Sequence, residues 1–298
     1  MSTRILLATD FSDASEEASQ QAHAIAARDH AALGICHVVP ETLPANVQVP
    51  VWVGTQLPDA AAIFKAAADA LDRKATALSA GGVQVETFVE EGEAYAGIVR
   101  TAESFAADLV VVGSHGRTGI SRMLLGSVAE KVVRHAPCAV RVARKGPETG
   151  PVITATDFSE ASKPGLRAAA REAARTGSDL VVLFVFDLAW PGATPYAIDA
   201  SGLSAVVSDT EAIRRSNEDL NKIIAETTQG VLVQAKGEVL VGDPATLIVR
   251  RAEEMNARLV VLSTHGRTGL SRVLLGSVAE RVVRLAHTSV LAVRSAVR

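Results

Sequence analysis

Two segments of this chain occur twice, and this duplication constrains the fold more than any other feature of the sequence. His115–Arg134 and His265–Arg284 are identical at 17 of 20 positions, and Ala8–Ser15 returns as Ala155–Ser162 with one change. The offsets of 150 and 147 residues are those of whole domains, because the units that stack in solenoids are far shorter. The sequence therefore predicts one domain present twice.

Length and composition agree with a pair of domains. The chain has 298 residues, of which 48% are hydrophobic and 21% charged, which excludes disorder and low-complexity sequence. A domain of about 150 residues buries enough surface to fold without a metal or a disulfide. We predict domains at residues 1–146 and 150–298, joined by a linker rich in Gly and Pro.

Charge, cysteines and apolar runs exclude several function classes. The net charge of −3 disfavours a nucleic-acid partner. Cys36 and Cys138 lie far apart in apolar runs, which predicts buried thiols rather than a disulfide or a metal pair. The first residues do not resemble a secretory signal and no apolar run approaches about 20 residues, so we expect a cytoplasmic protein without a membrane partner.

Short apolar runs alternate with amphipathic stretches in both halves. Strands are predicted at Ile5–Thr9, Leu33–Val39, Val83–Val89, Leu109–Gly113, Ala139–Val142, Val152–Thr156, Leu180–Val185, Leu232–Val239, Leu259–Ser263 and Ser289–Val293. Helices are predicted in the first half at Asp13–His30, Asp59–Ser79, Glu93–Phe105 and Ser127–His135. This alternation favours an α/β fold, with a doubly wound five-stranded parallel sheet in each half. Ligands of such sheets bind at the carboxyl ends of the strands.

A glycine-rich turn follows the fourth predicted strand and ends where a helix begins. Ser127 and Glu130 have the spacing of a capping box, as do Ser277 and Glu280. A helix N-terminus preceded by glycines suits a phosphate, although a plain strand-to-helix connection would explain the same residues. The Walker, dinucleotide-binding and nucleophile-elbow motifs are all missing from the sequence.

The turn carries a family resemblance. Its pattern Gly113-x2-Gly116-x9-Gly126-Ser127 resembles the G-2x-G-9x-G-[ST] signature of the universal stress protein family, in its ATP-binding branch. The Thr-Asp-Phe-Ser turn after the first strand, the His37-Val38 pair and the Gly-Ser-Val-Ala-Glu helix start extend this resemblance over both halves. It implies a tandem universal stress protein with Rossmann-like domains.

The resemblance implies an ATP site in each half. Asp10 and Val38 would flank adenine and ribose, Ala8 would contact adenine, and the turn glycines would line the path of the ribose and phosphates. The implied first site comprises Ala8, Thr9, Asp10, Val38, Val112, Gly113, His115, Gly116, Arg117, Gly126, Ser127 and Val128. The implied second site comprises Ala155, Thr156, Asp157, Val185, Ser263, His265, Gly266, Arg267, Gly276, Ser277 and Val278. Mg²⁺ accompanying ATP is compatible with this site, although no acidic cluster beside the turn is dedicated to it.

The second half departs from the pattern at two positions. Ser263 replaces the first signature glycine, so that its side chain either adds bulk where ribose should pass or forms a hydrogen bond. Phe184 stands where the first half has His37.

Several other residues carry two interpretations. His115 and His265 either brace the turn or contact the ligand. The turn arginines Arg117, Arg122, Arg267 and Arg272 either neutralise phosphate or are plain surface residues. Proline-rich segments with Trp52 and Trp190 are either lids or packed surface loops.

Three functions stay open on the sequence. The preferred one is a nucleotide-dependent regulatory stress-response protein without turnover, because no general base or nucleophile stands out beside the turn. The alternatives are a slow ATPase or nucleotidyl-transferring enzyme, and an interaction module that binds no nucleotide. The resemblance also implies an internal pseudo-dimer that pairs Ala139–Val142 with Ser289–Val293, and homodimers are common among relatives.

Overall fold

The computed structural model describes residues 3–41, 60–79, 81–116, 125–187, 210–266 and 275–294. They belong to two compact units, Met1–Arg144 and Lys145–Arg298. Trp52, Trp190, Arg117, Arg122, Arg267 and Arg272 lie outside the described residues.

The first unit alternates strands and helices along the chain. Its described strands are β1 (Arg4–Ala8), β2 (Ala32–Val39), β3 (Val85–Glu91), β4 (Leu109–Gly113) and β5 (Ala139–Ala143). Its described helices are α1 (Asp13–Asp29), α2 (Ala60–Leu78), α3 (Ala94–Ser104) and α4 (Ser127–His135). Local chemistry sets the ends of α1: the Ser12 hydroxyl accepts from the Ser15 N–H, and His30 ends the helix in the left-handed conformation.

The second unit repeats this order. Its described strands are β6 (Val152–Thr156), β7 (Leu180–Phe186), β8 (Ala235–Val241), β9 (Leu259–Ser263) and β10 (Ser289–Val293). Its described helices are α5 (Lys163–Thr176), α6 (Thr210–Thr227), α7 (Pro244–Glu254) and α8 (Ser277–Leu285). A short 3₁₀ turn, Glu160–Ser162, precedes α5, so this helix begins three residues later than the corresponding α1.

Each unit is a doubly wound parallel sheet, which confirms the predicted fold class. The strand order is β3-β2-β1-β4-β5 in the first unit and β10-β9-β6-β7-β8 in the second. Leu7 is in register with Val111 and Thr154 with Val261. The chain reverses its winding between β1 and β4, and between β6 and β9, so the loops after those strands lie side by side.

Several strands begin or end a few residues from their predicted bounds. The structure has β6, β9 and β10 at the predicted residues, whereas β8 begins at Ala235 rather than Leu232. Leu232 is 97% exposed, so its apolar character reflects no burial. In the first unit β3 begins at Val85, two residues after the predicted start at Val83.

The two cores consist of aliphatic strand and helix residues. Ile5, Leu33 and Leu71 are fully buried in the first unit, as are Leu166 and Val261 in the second. No described helix has the length and apolar character needed to cross a membrane.

The cysteines differ in burial. Cys36 lies inside β2, and burial raises the pKa of its thiol to about 11, which keeps it protonated and unreactive at neutral pH. Cys138 is only half-buried, because it lies in the bend before β5 rather than in the strand, so its predicted burial is wrong in degree. Cys36 and Cys138 form no disulfide.

Candidate functional site

The turn after the first strand of each unit fixes an aspartate. The Asp10 Oδ1 accepts hydrogen bonds from the Ser12 N–H at 3.1 Å and from the Ser12 hydroxyl at 2.6 Å. Asp157 makes the same contacts with Ser159 at 3.0 and 2.5 Å. Phe11 and Phe158 complete these turns with φ of 62° and 64°, a left-handed conformation that is uncommon for a bulky side chain.

The second carboxylate oxygen of each aspartate faces the glycine-rich turn. A Cβ placed on Gly116 would lie 2.7 Å from the Asp10 Oδ2, and one on Gly266 would lie 2.8 Å from the Asp157 Oδ2. The glycines are therefore required by close approach, and the two loops at the winding reversal meet at these residues.

The threonines before the aspartates brace the same turns. The Thr9 hydroxyl oxygen accepts from the Phe11 N–H at 3.1 Å and lies 3.1 Å from the Ser15 Oγ. Thr156 repeats these contacts with Phe158 and Ser162. The predicted residue Thr9 is 6% exposed, so its side chain has a mainly structural part in the site.

The helices after the glycine-rich turns begin at glycines. Gly126 and Gly276 are the N-cap residues of α4 and α8, and a glycine has no side chain with which to cap its helix. The predicted capping boxes are therefore wrong, because Ser127 and Ser277 are already the first helical residues. The orphan N–H groups of these first turns keep their capacity to bind an anion.

The Ser263 side chain is hydrogen-bonded to the start of α5. Its hydroxyl oxygen accepts from the Gly165 N–H at 2.9 Å and donates to the Ser162 carbonyl oxygen at 3.1 Å. Gly165 is the third residue of α5, and Ser162, the N-cap residue of that helix, forms no cap hydrogen bond with its own side chain. Ser263 thus caps α5 from a neighbouring strand, which agrees with the hydrogen-bonding alternative predicted for this serine.

Glycine is needed at the corresponding position of the first unit. A Cβ placed on Gly113 would lie 2.7 Å from the Ala14 carbonyl oxygen, because α1 starts earlier and its backbone occupies that space. In this chain the residue at this position therefore differs together with the start of the packed helix.

A hydroxyl pairs with the histidine of each turn. The Ser114 Oγ lies 3.0 Å from the His115 Nδ1, and the Thr264 Oγ1 lies 2.9 Å from the His265 Nδ1. Ser114 and Thr264 are 8% and 3% exposed, whereas His115 and His265 are half-buried.

The ends of the second strands differ between the units. In the first, the His37 Nδ1 lies 2.7 Å from the Thr9 carbonyl oxygen and its ring is 4.8 Å from that of Phe11. In the second, Phe184 packs against Phe158 at 4.4 Å and Phe186 at 4.8 Å between ring centroids. The second site therefore has an all-aromatic cluster where the first has an imidazole.

A cavity of about 230 Å³ in the second unit brings the predicted residues together. Every described member of the predicted second site lines it: Ala155, Thr156, Asp157, Val185, Ser263, His265, Gly266, Gly276, Ser277 and Val278. Its lining combines apolar side chains, among them Val185 and Leu262, with the first residues of α8. The first site shows the same local contacts at Asp10, Gly116 and Gly126.

Sequence reasoning missed part of this lining. The additional residues are Ser162, Phe186, Asp187, Pro244, Ile248, Leu262 and Ala279. The rule that ligands bind at strand ends could have identified Phe186 and Asp187, which end β7 and follow it. Pro244 and Ile248 lie on α7, and nothing in the local sequence of that helix signals contact with the cavity.

An ion pair links two helices beside the cavity. Arg281 on α8 donates to both carboxylate oxygens of Asp243, at 2.6 and 2.9 Å, and Asp243 also caps α7 through the Thr246 N–H. The Arg281 guanidinium and the Thr246 contacts lower the pKa of Asp243 from 3.8 to about 2. Lys131 and Glu93 form the corresponding pair in the first unit, at 2.5 Å.

The sequence model of the universal stress protein family matches residues 1–144 and 149–294 of this chain. Universal stress protein Rv2005c of Mycobacterium tuberculosis is 32% identical over 195 residues, which are 63% of this chain and 62% of that protein. A universal stress protein of Mycolicibacterium smegmatis is 30% identical over 223 residues, or 72% of this chain and 70% of that protein. The match thus covers less than two thirds of the length of Rv2005c.

Solved structures share the fold. A universal stress protein from Archaeoglobus fulgidus superposes with a TM-score of 0.69 at 21% identity, covering 99% of both chains. A universal stress protein from Pseudomonas aeruginosa superposes with a TM-score of 0.63 at 19% identity, covering 98% of this chain and 92% of that protein. A smaller universal stress protein that aligns with 50% of this chain, at 20% identity and a TM-score of 0.38, was crystallised with cAMP.

Proposed function

This chain belongs to the universal stress protein family, with one family domain in each half, and on that premise we propose that each half binds ATP as a regulatory ligand. The phosphates would lie at the N-terminus of α4 in the first half and of α8 in the second. Adenine and ribose would lie between the ends of the first two strands of each sheet.

The cavity of the second unit carries this proposal. Its apolar side chains, which include Val185 and Leu262, suit a base, while the start of α8 suits phosphate. Asp157 also lines the cavity, with its Oδ2 on the side of Gly266, where a carboxylate can accept from ribose hydroxyls or an adenine amine. An adenine nucleotide matches this combination of apolar, polar and anion-binding groups.

The engaged side chains at the turn favour a regulatory ligand over a substrate. The Asp157 Oδ1 is held by Ser159, and the His265 Nδ1 is paired with Thr264. A general base needs a lone pair directed at the attacking water, and the remaining Asp157 oxygen, Oδ2, is the atom proposed above to accept from ribose or adenine. We therefore propose that ATP occupancy changes the conformation or assembly of the protein, and that turnover is negligible.

Nucleotide carried through a gentle purification tests the binding proposal. We expect adenine nucleotide in the freshly purified full chain, identified by absorbance and mass spectrometry, and rebinding of ATP after its removal. A protein that carries none and binds no added ATP would contradict the proposal and favour an interaction module.

Steady-state phosphate release tests the regulatory part separately. We expect no release above background from the wild type. Release that is abolished by Gly126→Val or Gly276→Val would show turnover at these sites and favour the slow-ATPase alternative.

A further inference from the structure

The cavity of the second unit has a carboxylate at a position where the first unit has a proline. Asp187 directly follows β7, is half-buried and lines the cavity, although it lies outside the glycine-rich signature. The registers of β1 with β2 and of β6 with β7 show that its counterpart in the first unit is Pro40. The two sites therefore differ in charge and in hydrogen-bonding capacity at this position.

Two observations place the Asp187 carboxylate on the face of the sheet that α7 and α8 cover. Side chains alternate along a strand, so Asp187 continues the row of Val185, which lines the cavity together with Ile248 on α7. Asp187 is also close to the guanidinium of Arg281 on α8, because its charge, after the larger effect of Asp243, raises the pKa of Arg281. The first residues of α8 line the same cavity, so the carboxylate lies on the ligand side of the sheet.

Asp187 offers a ligand a charged acceptor among apolar groups. Val185, Ile248 and Leu262 are apolar, and the described residues that line the cavity include no lysine or arginine. A carboxylate accepts hydrogen bonds and donates none, so a ligand group that contacts it has to be a donor. It has about four lone-pair positions, so the nearby Arg281 does not prevent a contact with the ligand. Within a nucleotide, the 6-amino group of adenine combines such a donor with a flat apolar ring.

We propose that Asp187 accepts a hydrogen bond from the 6-amino group of adenine, and that it makes the second site more selective for adenine than the first site with Pro40. The inference rests on the proposed function, in which adenine lies at the ends of the first two strands, since β7 is the second strand of its unit. It assigns the amine to Asp187 and the ribose hydroxyls to Asp157. A purine with a carbonyl at this position would present an acceptor to the carboxylate, which disfavours its binding.

Purine riboside tests the contact in the wild type, because it is adenosine without the 6-amino group. Calorimetric titration of the nucleotide-free full chain gives the preference of each site for adenosine over purine riboside. We expect one site to exceed the other in this preference by about 10- to 100-fold, as for a hydrogen bond to a charged group. Equal preferences at the two sites would overturn the inference.

Asp187→Ala identifies the selective site in the same titration. We expect its adenosine affinity to fall until its preference equals that of the other site, while its affinity for purine riboside stays the same. Pro40→Ala is the matched control at the corresponding position of the first unit and should change neither affinity. A preference for adenosine that persists in Asp187→Ala would overturn the contact, and the wild-type comparison still decides if this variant does not fold.

ATP distinguishes a contact with the base from an effect of charge on the phosphates. Asp187→Ala should lower the affinities of the second site for ATP and for adenosine by similar factors. ATP affinity that rises while adenosine affinity stays the same would assign the carboxylate to the phosphates and overturn the inference. Failure of the proposed function is recognised differently, because the wild type would then bind neither ATP nor adenosine.

Discussion

Side-chain direction explains the residue that departs most from the family pattern. Ser263 projects toward the start of α5, where its hydroxyl contacts Gly165 and Ser162, while Gly113 faces backbone atoms of α1 at the corresponding place. The exchange of glycine for serine thus follows the later start of α5. The serine at position 263 therefore reflects the packing of α5, and it is not evidence that the second site has lost nucleotide binding.

Ser263→Ala removes this long-range cap and little else. We expect a loss of about 1 kcal/mol in the free energy of unfolding, as for other N-cap deletions, measured by urea denaturation. ATP affinity of the second site should match the wild type. Tighter ATP binding by Ser263→Ala would contradict the cap and restore the interpretation that serine crowds the ligand.

Gly266→Ala tests the aspartate through its neighbour. A Cβ at this position would lie 2.8 Å from the Asp157 Oδ2, so the carboxylate must move, and we expect weaker ATP binding in the second half by calorimetry. Asp157→Ala should weaken binding as well. The double variant should bind no more weakly than Asp157→Ala, because the two changes act on one contact. Additive losses would show that Gly266 acts independently of the carboxylate.

At the scale of elements, α8 lines the cavity with its first residues and is joined to α7 by an ion pair. Its N-terminus faces the cavity, and Arg281, in its second turn, pairs with Asp243, the residue that caps α7. The Lys131–Glu93 pair connects α4 with the start of α3 in the same way. These pairs couple the helix that would hold phosphate to the helix that covers the strand ends.

Asp243→Asn removes the charge and keeps a residue that caps helices well. The pKa of Asp243 is lowered to about 2, so its ion pair stabilises the folded state above about pH 4 and is lost as the pH falls from 3.8 toward 2. Both side chains are more than 40% exposed, and we therefore expect a loss of at most about 1 kcal/mol at neutral pH.

The pH dependence distinguishes the ion pair from the cap. The difference in free energy of unfolding between wild type and Asp243→Asn, measured by urea unfolding, should shrink as the pH falls from 3.8 toward 2. Arg281→Gln provides the control, since Asp243→Asn should add little in its presence. A difference that persists at pH 2 would assign the effect to the cap instead.

Helix starts were harder to predict than strands. Gly and Ser stand side by side at 126–127 and 276–277, and both are accepted at the N-cap, so the S-x-x-E spacing favoured the serines. In the structure the Gly126 N–H donates to the Ser114 carbonyl oxygen at 2.7 Å, which places the glycine at the cap position. That contact is between segments distant in sequence, and local spacing carries no information about it.

At the scale of the whole molecule, the duplication predicted more than any single motif. Because the Thr-Asp-Phe-Ser turn and the glycine-rich turn both occur twice, the repeat identified which residues of the two halves correspond, such as Asp10 with Asp157 and Gly116 with Gly266. The contribution of α7 to the cavity could not be predicted in this way, since Pro244 and Ile248 reach it through tertiary packing. A sequence pattern identifies residues on one loop, whereas tertiary packing determines which helix, distant in sequence, lines the rest of the cavity.

The two halves are similar without being equivalent. Their turns and helix starts match, but the first has His37 beside Phe11, and the second has Phe184 between Phe158 and Phe186. The net charge of the chain is only −3, and such a chain offers no basic field to attract a nucleotide. Backbone N–H groups at α4 and α8 would have to supply that attraction locally.

Calorimetric titration of nucleotide-free full chain with ATP tests the central claim most directly. We predict two ATP per chain for the wild type, and one for either Gly126→Val or Gly276→Val. A Cβ on either glycine would already lie 3.2 Å from the preceding turn, and valine adds further bulk at the phosphate end. A stoichiometry that stays the same after either substitution would contradict the assignment of that half, and absence of binding by the wild type would contradict both.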